Sequence, residues 1–131
     1  MDLADYVLKI TSNLNKFPDI RSTEENGTLT VVLSNESLVN WVRIQAKDIY
    51  MLAFTANRIN LKLQPWRKEE RLSKQARAIE LCEEHFAAIQ LCRKRFHLSN
   101  KRIRYWGKKV LTVERALEGW HNKDKIRYKD I

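Results

Sequence analysis

Apolar positions recur at steps of three and four from the start of the chain. Leu3, Val7, Ile10, Leu14 and Phe17 share one stripe of a helix, which Pro18 ends because its ring blocks the preceding turn. Asp19 to Gly27 is polar and reads as a turn. Leu29, Val31 and Leu33 then alternate with Thr28, Thr30 and Val32, a period of two that predicts a strand. Ser34 and Asn35 are good helix caps, and the residues after them, Leu38, Trp41, Val42, Ile49, Leu52 and Ala56, return to helical spacing. A second helix is therefore expected to about Asn57. Ile59, Leu61 and Leu63 alternate with Asn60, Lys62 and Gln64 before Pro65, which predicts a second short strand.

Beyond Pro65 the period lengthens to seven. Leu72, Ile79 and Phe86 form one series and Cys82, Ile89 and Phe96 the other, a heptad seam. After His97-Leu98-Ser99-Asn100 the pattern resumes as Ile103, Val110 and Leu117 with Trp106, Val113 and Trp120, so two long helices on a short connector should pair as an antiparallel hairpin. The expected fold is α+β and mostly helical. A small αβαβ module over residues 1–65 is followed by a basic helical hairpin or helix-turn-helix-like extension over 66–122, and by a charged tail over 123–131 that orders on a partner. The seam can be satisfied within one chain or between two, so an oligomer is compatible with it.

Charge adds the functional signal. The 131 residues carry a formal net charge of +9, with 25 Lys and Arg against 16 Asp and Glu. Residues 1–66 are balanced, so the excess lies wholly in the second half and generates a field that attracts polyanions. Arg93, Lys94, Arg95, Lys101, Arg102, Arg104, Lys108 and Lys109 fall within residues 93–109 without one acidic residue. On a helix, Lys101, Arg104, Tyr105, Lys108 and Arg115 share an arc nearly opposite the Ile103, Trp106 and Val110 stripe. One face packs and the other is a cationic ridge, suited to phosphates, with Arg able to bond a phosphate or a guanine edge twice and Tyr105 able to stack on a base. Solvated surface is the alternative reading of that ridge. Arg67, Lys68, Arg71, Lys74 and Arg77 form a second patch, which Glu69 and Glu70 interrupt.

Two segments resemble known families. Gly27-Thr28-Leu29-Thr30-Val31-Val32-Leu33-Ser34, Leu38-Val39-Asn40-Trp41-Val42-Arg43 and the strand from Ile59 to Leu63 resemble the KH-like N-terminal domain of the DnaA replication initiators, and the strand-helix-strand unit is similar to that of DciA-type helicase loaders. That resemblance implies a protein partner bound through Trp41 and Arg43 and an accessory role in DNA replication, whereas from the residues alone Trp41 is equally a core aromatic. Phe96-His97-Leu98-Ser99-Asn100-Lys101-Arg102-Ile103-Arg104-Tyr105-Trp106 is similar to the turn and recognition helix of helix-turn-helix proteins, which implies base contacts from Asn100 to Lys108.

The remaining chemistry is sparse. Cys82, His85, Cys92 and His97 have zinc-ligand identities, but on a continuous helix Cys82 and Cys92 lie about 15 Å apart, too far to share one ion or a disulfide. They fit a core and its margin, as reduced thiols in a cytosol-like compartment. Trp66 is either a stacking platform or the cover of the junction between the two halves. No glycine-rich phosphate loop, nucleophile elbow or paired catalytic carboxylates occur, so no enzyme and no cofactor are expected. With no signal-like N-terminus and no apolar run of membrane length, a cytoplasmic, nucleoid- or nucleoprotein-associated protein is expected, without membrane contact. Its partner is nucleic acid, DNA or RNA, with transcription regulation as open as replication. Alternatives are a protein-interaction adaptor or phage-encoded inhibitor, or a small ribonucleoprotein subunit such as those of CRISPR effector complexes.

Overall fold

A computed structural model describes residues 3–11, 20–23, 30–33 and 35–131. The described residues build α1 (Leu3–Thr11), an antiparallel strand pair β1 (Ile20–Thr23) and β2 (Thr30–Leu33), and three long helices, α2 (Asn35–Asn57), α3 (Lys68–Phe96) and α4 (Asn100–Arg127). The expected continuation of the first helix to Phe17 lies outside the described residues.

The expected αβαβ, KH-like module is not formed, and the fold is a bundle of four helices. Strand β2 pairs with β1, inside the stretch that reads as a polar turn, in the register Ile20 opposite Leu33 and Thr23 opposite Thr30. The second expected strand is a compact turn. Asn60 Oδ1 accepts from the Lys62 backbone N–H at 3.0 Å, and the Asn60 carbonyl accepts from the amides of Leu63 and Gln64. Such an Asx turn takes up the groups that a ladder would need. The alternation that suggests a strand has another cause. Ile59 and Leu61 plug the core while Leu63 stays 74% exposed.

The three long helices run up, down and up with α3 in the middle. Gln45 of α2 meets His85 of α3, and Ile59, just after α2, meets Arg71 near the start of α3, so these two are antiparallel. Arg93 bonds to Asn100 at the turn, Trp106 to His85 midway along α3, and Asp124 to Gln75 towards the far end. The two helices therefore stay side by side along their whole length, as a hairpin. Helix α1 closes the bundle against α2 and α4, with the Arg43 Nε–H donating to Thr11 Oγ1 at 2.8 Å.

A single core crosses residue 65, taking Leu3, Val7, Val42 and Ile49 together with Cys82, Ile89, Trp106 and Val110. On α3 the buried series are Arg71, Ala78, His85, Cys92 and Gln75, Cys82, Ile89, Phe96, with Leu81 and Ala88 buried beside them. Leu72, Ile79 and Phe86, expected in the seam, lie one residue off it and are only half-buried. On α4 the expected seam of Ile103, Trp106, Val110, Val113, Leu117 and Trp120 gains one more member at the next heptad step, Asp124, which is buried. Helix α4 thus continues to Arg127, through residues that read as the start of a tail. Trp66, in a 3-10 turn over Pro65–Arg67, is 75% exposed and does not cover the junction.

Candidate nucleic-acid interface

The turn between α3 and α4 sets the geometry of the basic cluster. His97 closes α3 in the left-handed region, φ 50° and ψ 43°, where glycine is the usual residue. Leu98 is buried, and the Ser99 hydroxyl caps α4 by accepting from the Arg102 amide at 3.2 Å. The guanidinium of Arg93 donates to Asn100 Oδ1 at 2.7 Å and braces the turn from its α3 side.

Helix electrostatics divide the eight cations. Arg93, Lys94 and Arg95 occupy the last turn of α3, where positive side chains favour the partial negative charge of the carbonyl end. Their helix accounts for them. Lys101 and Arg102 stand in the first turn of α4, beside its partial positive charge and with no acidic residue there, and Arg104 follows in the next turn. That placement disfavours the helix, and an anion seated there relieves it.

Those residues line a groove of about 610 Å³ with Ser99, Tyr105, Lys108 and, from α1, Tyr6. Among the described residues that line it there is no carboxylate. The Tyr6 ring meets Tyr105 edge-on, at 5.1 Å between centroids and 62° between planes, and Trp106 at 6.3 Å. Lys109, half-buried, places its ammonium over the Tyr105 ring, 4.7 Å from its centroid, and 5.5 Å from that of Tyr6, a favourable contact with both rings. Burial, and then the neighbouring Tyr105, raise the Tyr6 hydroxyl pKa above the ordinary phenol value, while Arg102 opposes them. The Tyr6 hydroxyl is therefore protonated at neutral pH. Tyr105 is 53% exposed.

Of the residues expected to bind nucleic acid, Lys101, Arg102, Arg104, Tyr105 and Lys108 share this groove. Arg115, exposed two turns beyond Lys108, continues the same side of α4 outside it. Sequence reasoning misses Tyr6, whose only local signal is its place three residues after Leu3 in the first helical stripe. Arg43 is spent on the tie to Thr11, and Trp41, 41% exposed, lies on α2 and does not line the groove.

The second basic patch is neutralised from within. Arg67 bonds Glu70 at 2.8 Å, Lys74 lies 3.6 Å from Glu70, Arg77 bonds Glu80 and Glu84, and Arg71 is buried. The cysteine and histidine set does not converge. Both ring nitrogens of His85 are engaged, by Gln45 and Trp106, and Cys82 and Cys92 are buried. His97 is exposed in the turn after α3. No three His, Cys, Asp or Glu side chains among the described residues are grouped to hold a metal ion. No described helix is long and apolar enough to cross a membrane.

No protein-family model matches the chain, and no curated protein or solved structure matches it.

Proposed function

We propose that the protein binds nucleic acid, as an accessory factor and not as an enzyme, and that it does so by seating phosphates in the groove at the start of α4. The observation that carries this reading is the placement of Lys101, Arg102, Arg104 and Lys108 around one groove whose described lining has no carboxylate, the first two of them in the helix turn that disfavours cations. Grouped like charges repel, and a polyanion removes that cost while its condensed counterions are released. An association with the nucleoid or another nucleoprotein accords with this reading. Purification at low ionic strength tests it. The expected preparation has an elevated 260 to 280 nm absorbance ratio that nuclease or a high-salt wash returns to the protein value. A preparation free of nucleic acid at low salt, which also fails to shift an added oligonucleotide, overturns it.

A protein adaptor is the second reading, favoured by the outer side of α2. There Trp41, Ile44, Met51 and Phe54 are each between 41% and 50% exposed. A protein that co-purifies after nuclease treatment and is lost on Ile44→Glu substitution supports this reading. Failure of the purified protein to bind nucleic acid would favour it over the first reading.

A further inference from the structure

Given the nucleic-acid reading above, we infer that the groove takes a single strand, with one base stacked on Tyr105 and the flanking phosphates on Lys101 and Arg104 on one side and Lys108 on the other. The first ground is steric. A duplex is read by a helix that protrudes into a major groove about 12 Å wide, and an α-helix with its side chains already measures about 10 to 12 Å across. Helix α4 is flanked at its basic end by a second helix. It lies against α3 along its length, and at its basic end Tyr6 of α1 leans on Tyr105 and Trp106. The open groove at that end, of about 610 Å³, suits individual nucleotides.

The second ground is the state of the Tyr105 ring. An exposed tyrosine on a helix ordinarily samples several rotamers, and a ligand that fixes it must offset that entropy. Here the Tyr6 edge contact and the Lys109 ammonium hold the ring in advance, yet 53% of the residue remains open. The ring face turned away from Lys109 then serves as the stacking platform, indifferent to sequence because every base has a π-face. The third ground is spacing. Lys101 precedes Tyr105 by one helical turn and Lys108 follows by about one, so their Cα atoms stand about 10 Å apart along the axis with Tyr105 between them. A strand that lays a base on the ring places successive phosphates near both.

Fluorescence anisotropy of a labelled 12-nucleotide thymidine strand and of a 12-base-pair duplex separates the possibilities. The single strand is expected to bind at least tenfold tighter than the duplex. Tyr105→Leu should weaken the strand about tenfold, within the range for loss of one stacked base, and leave duplex binding and the salt dependence unchanged. Tyr105→Phe should bind like the wild type, because the ring and not the hydroxyl makes the contact. In the unmutated protein, a strand carrying 5-bromodeoxyuridine should photocross-link to Tyr105, which removes any dependence on how the variants fold. Equal or tighter duplex binding, or cross-links that bypass Tyr105, overturns the single-strand assignment while leaving phosphate binding intact. Undiminished binding of both ligands by the K101E/R104E/K108E variant would instead overturn the nucleic-acid site itself.

Discussion

Trp106 donates its indole N–H to Nε2 of His85 at 3.1 Å, in the middle of the core. An indole nitrogen only donates, so Nε2 must accept, and the ring proton sits on Nδ1, 2.9 Å from Gln45 Oε1. Three helices are joined through one neutral imidazole. A protonated ring would break the Trp106 bond and place a charge in a fully buried site.

That chain makes stability depend on pH. Burial pushes the His85 pKa down to about 4, from 6.5 for an exposed histidine. Between those values the unfolded chain binds the proton and the folded one does not. The stabilisation is therefore complete above about pH 6.5 and is lost as pH falls towards 4, by roughly 3 kcal/mol in all. Urea denaturation of the wild type at pH 7 and pH 4.5 should show that loss. His85→Gln should be less stable at pH 7 but lack most of the decline. His121, also lowered, mainly by burial, contributes a smaller change of the same sign. A wild type equally stable at both pH values contradicts the tautomer chain.

Asp124 carries the other buried network. One of its oxygens accepts from Arg71 Nε at 2.7 Å and from Gln75 Nε2 at 2.6 Å, while Arg71 also bonds the Ile59 carbonyl and lies over the rings of Trp120 and Tyr128. Asp124→Ala leaves a buried guanidinium without its counter-charge and should cost about 3 to 5 kcal/mol in chemical denaturation. Replacing both partners, as Arg71→Met with Asp124→Leu, should cost less than the single change. A loss below about 1 kcal/mol for Asp124→Ala would show that the end of α4 is not docked.

Both thiols should be inert in the folded protein. Burial pushes Cys82 and Cys92 up to about 12, so almost no thiolate exists at pH 8, and neither sulfur is accessible. A thiol-reactive disulfide reagent should label neither cysteine natively and both in guanidinium. Rapid native labelling of either would mean that the α3 seam opens.

How much of this could be read in advance depended on which residues fill the seams. The apolar heptads of α4 predict its buried face, and one further step along the same series reaches Asp124, although its charge makes it look like surface. On α3, half the seam is polar or small, with Arg71, Gln75, Ala78 and His85. A hydrophobicity pattern therefore settles on Leu72, Ile79 and Phe86, one residue away. Ile59 and Leu61 mislead for the converse reason, because two core plugs in a turn have the period of a strand. The basic residues of the groove are visible as an acid-free cluster. Tyr6 is not, since nearly one hundred residues separate it from Tyr105 and only the closure of α1 onto α4 brings them together.

The first turn of α4 trades stability for charge. Ser99 caps Arg102, so Arg102 stands where a capping box places glutamate, reaching back to the cap's own amide. Arg102→Glu should raise stability by roughly 0.5 to 1 kcal/mol and weaken nucleic-acid binding together. Thermal unfolding and anisotropy on the same sample check both. A variant that is less stable than the wild type contradicts the electrostatic assignment of this turn.

The salt dependence of binding tests the central claim most directly. Four cations on a single strand should give a slope of about −3 for the logarithm of affinity against the logarithm of salt concentration, at about 0.7 per phosphate contact. The K101E/R104E/K108E variant, folded by circular dichroism, should lose measurable binding at 100 mM salt. A flat salt response, or a triple variant that binds like the wild type, would contradict the assignment of this groove to nucleic acid.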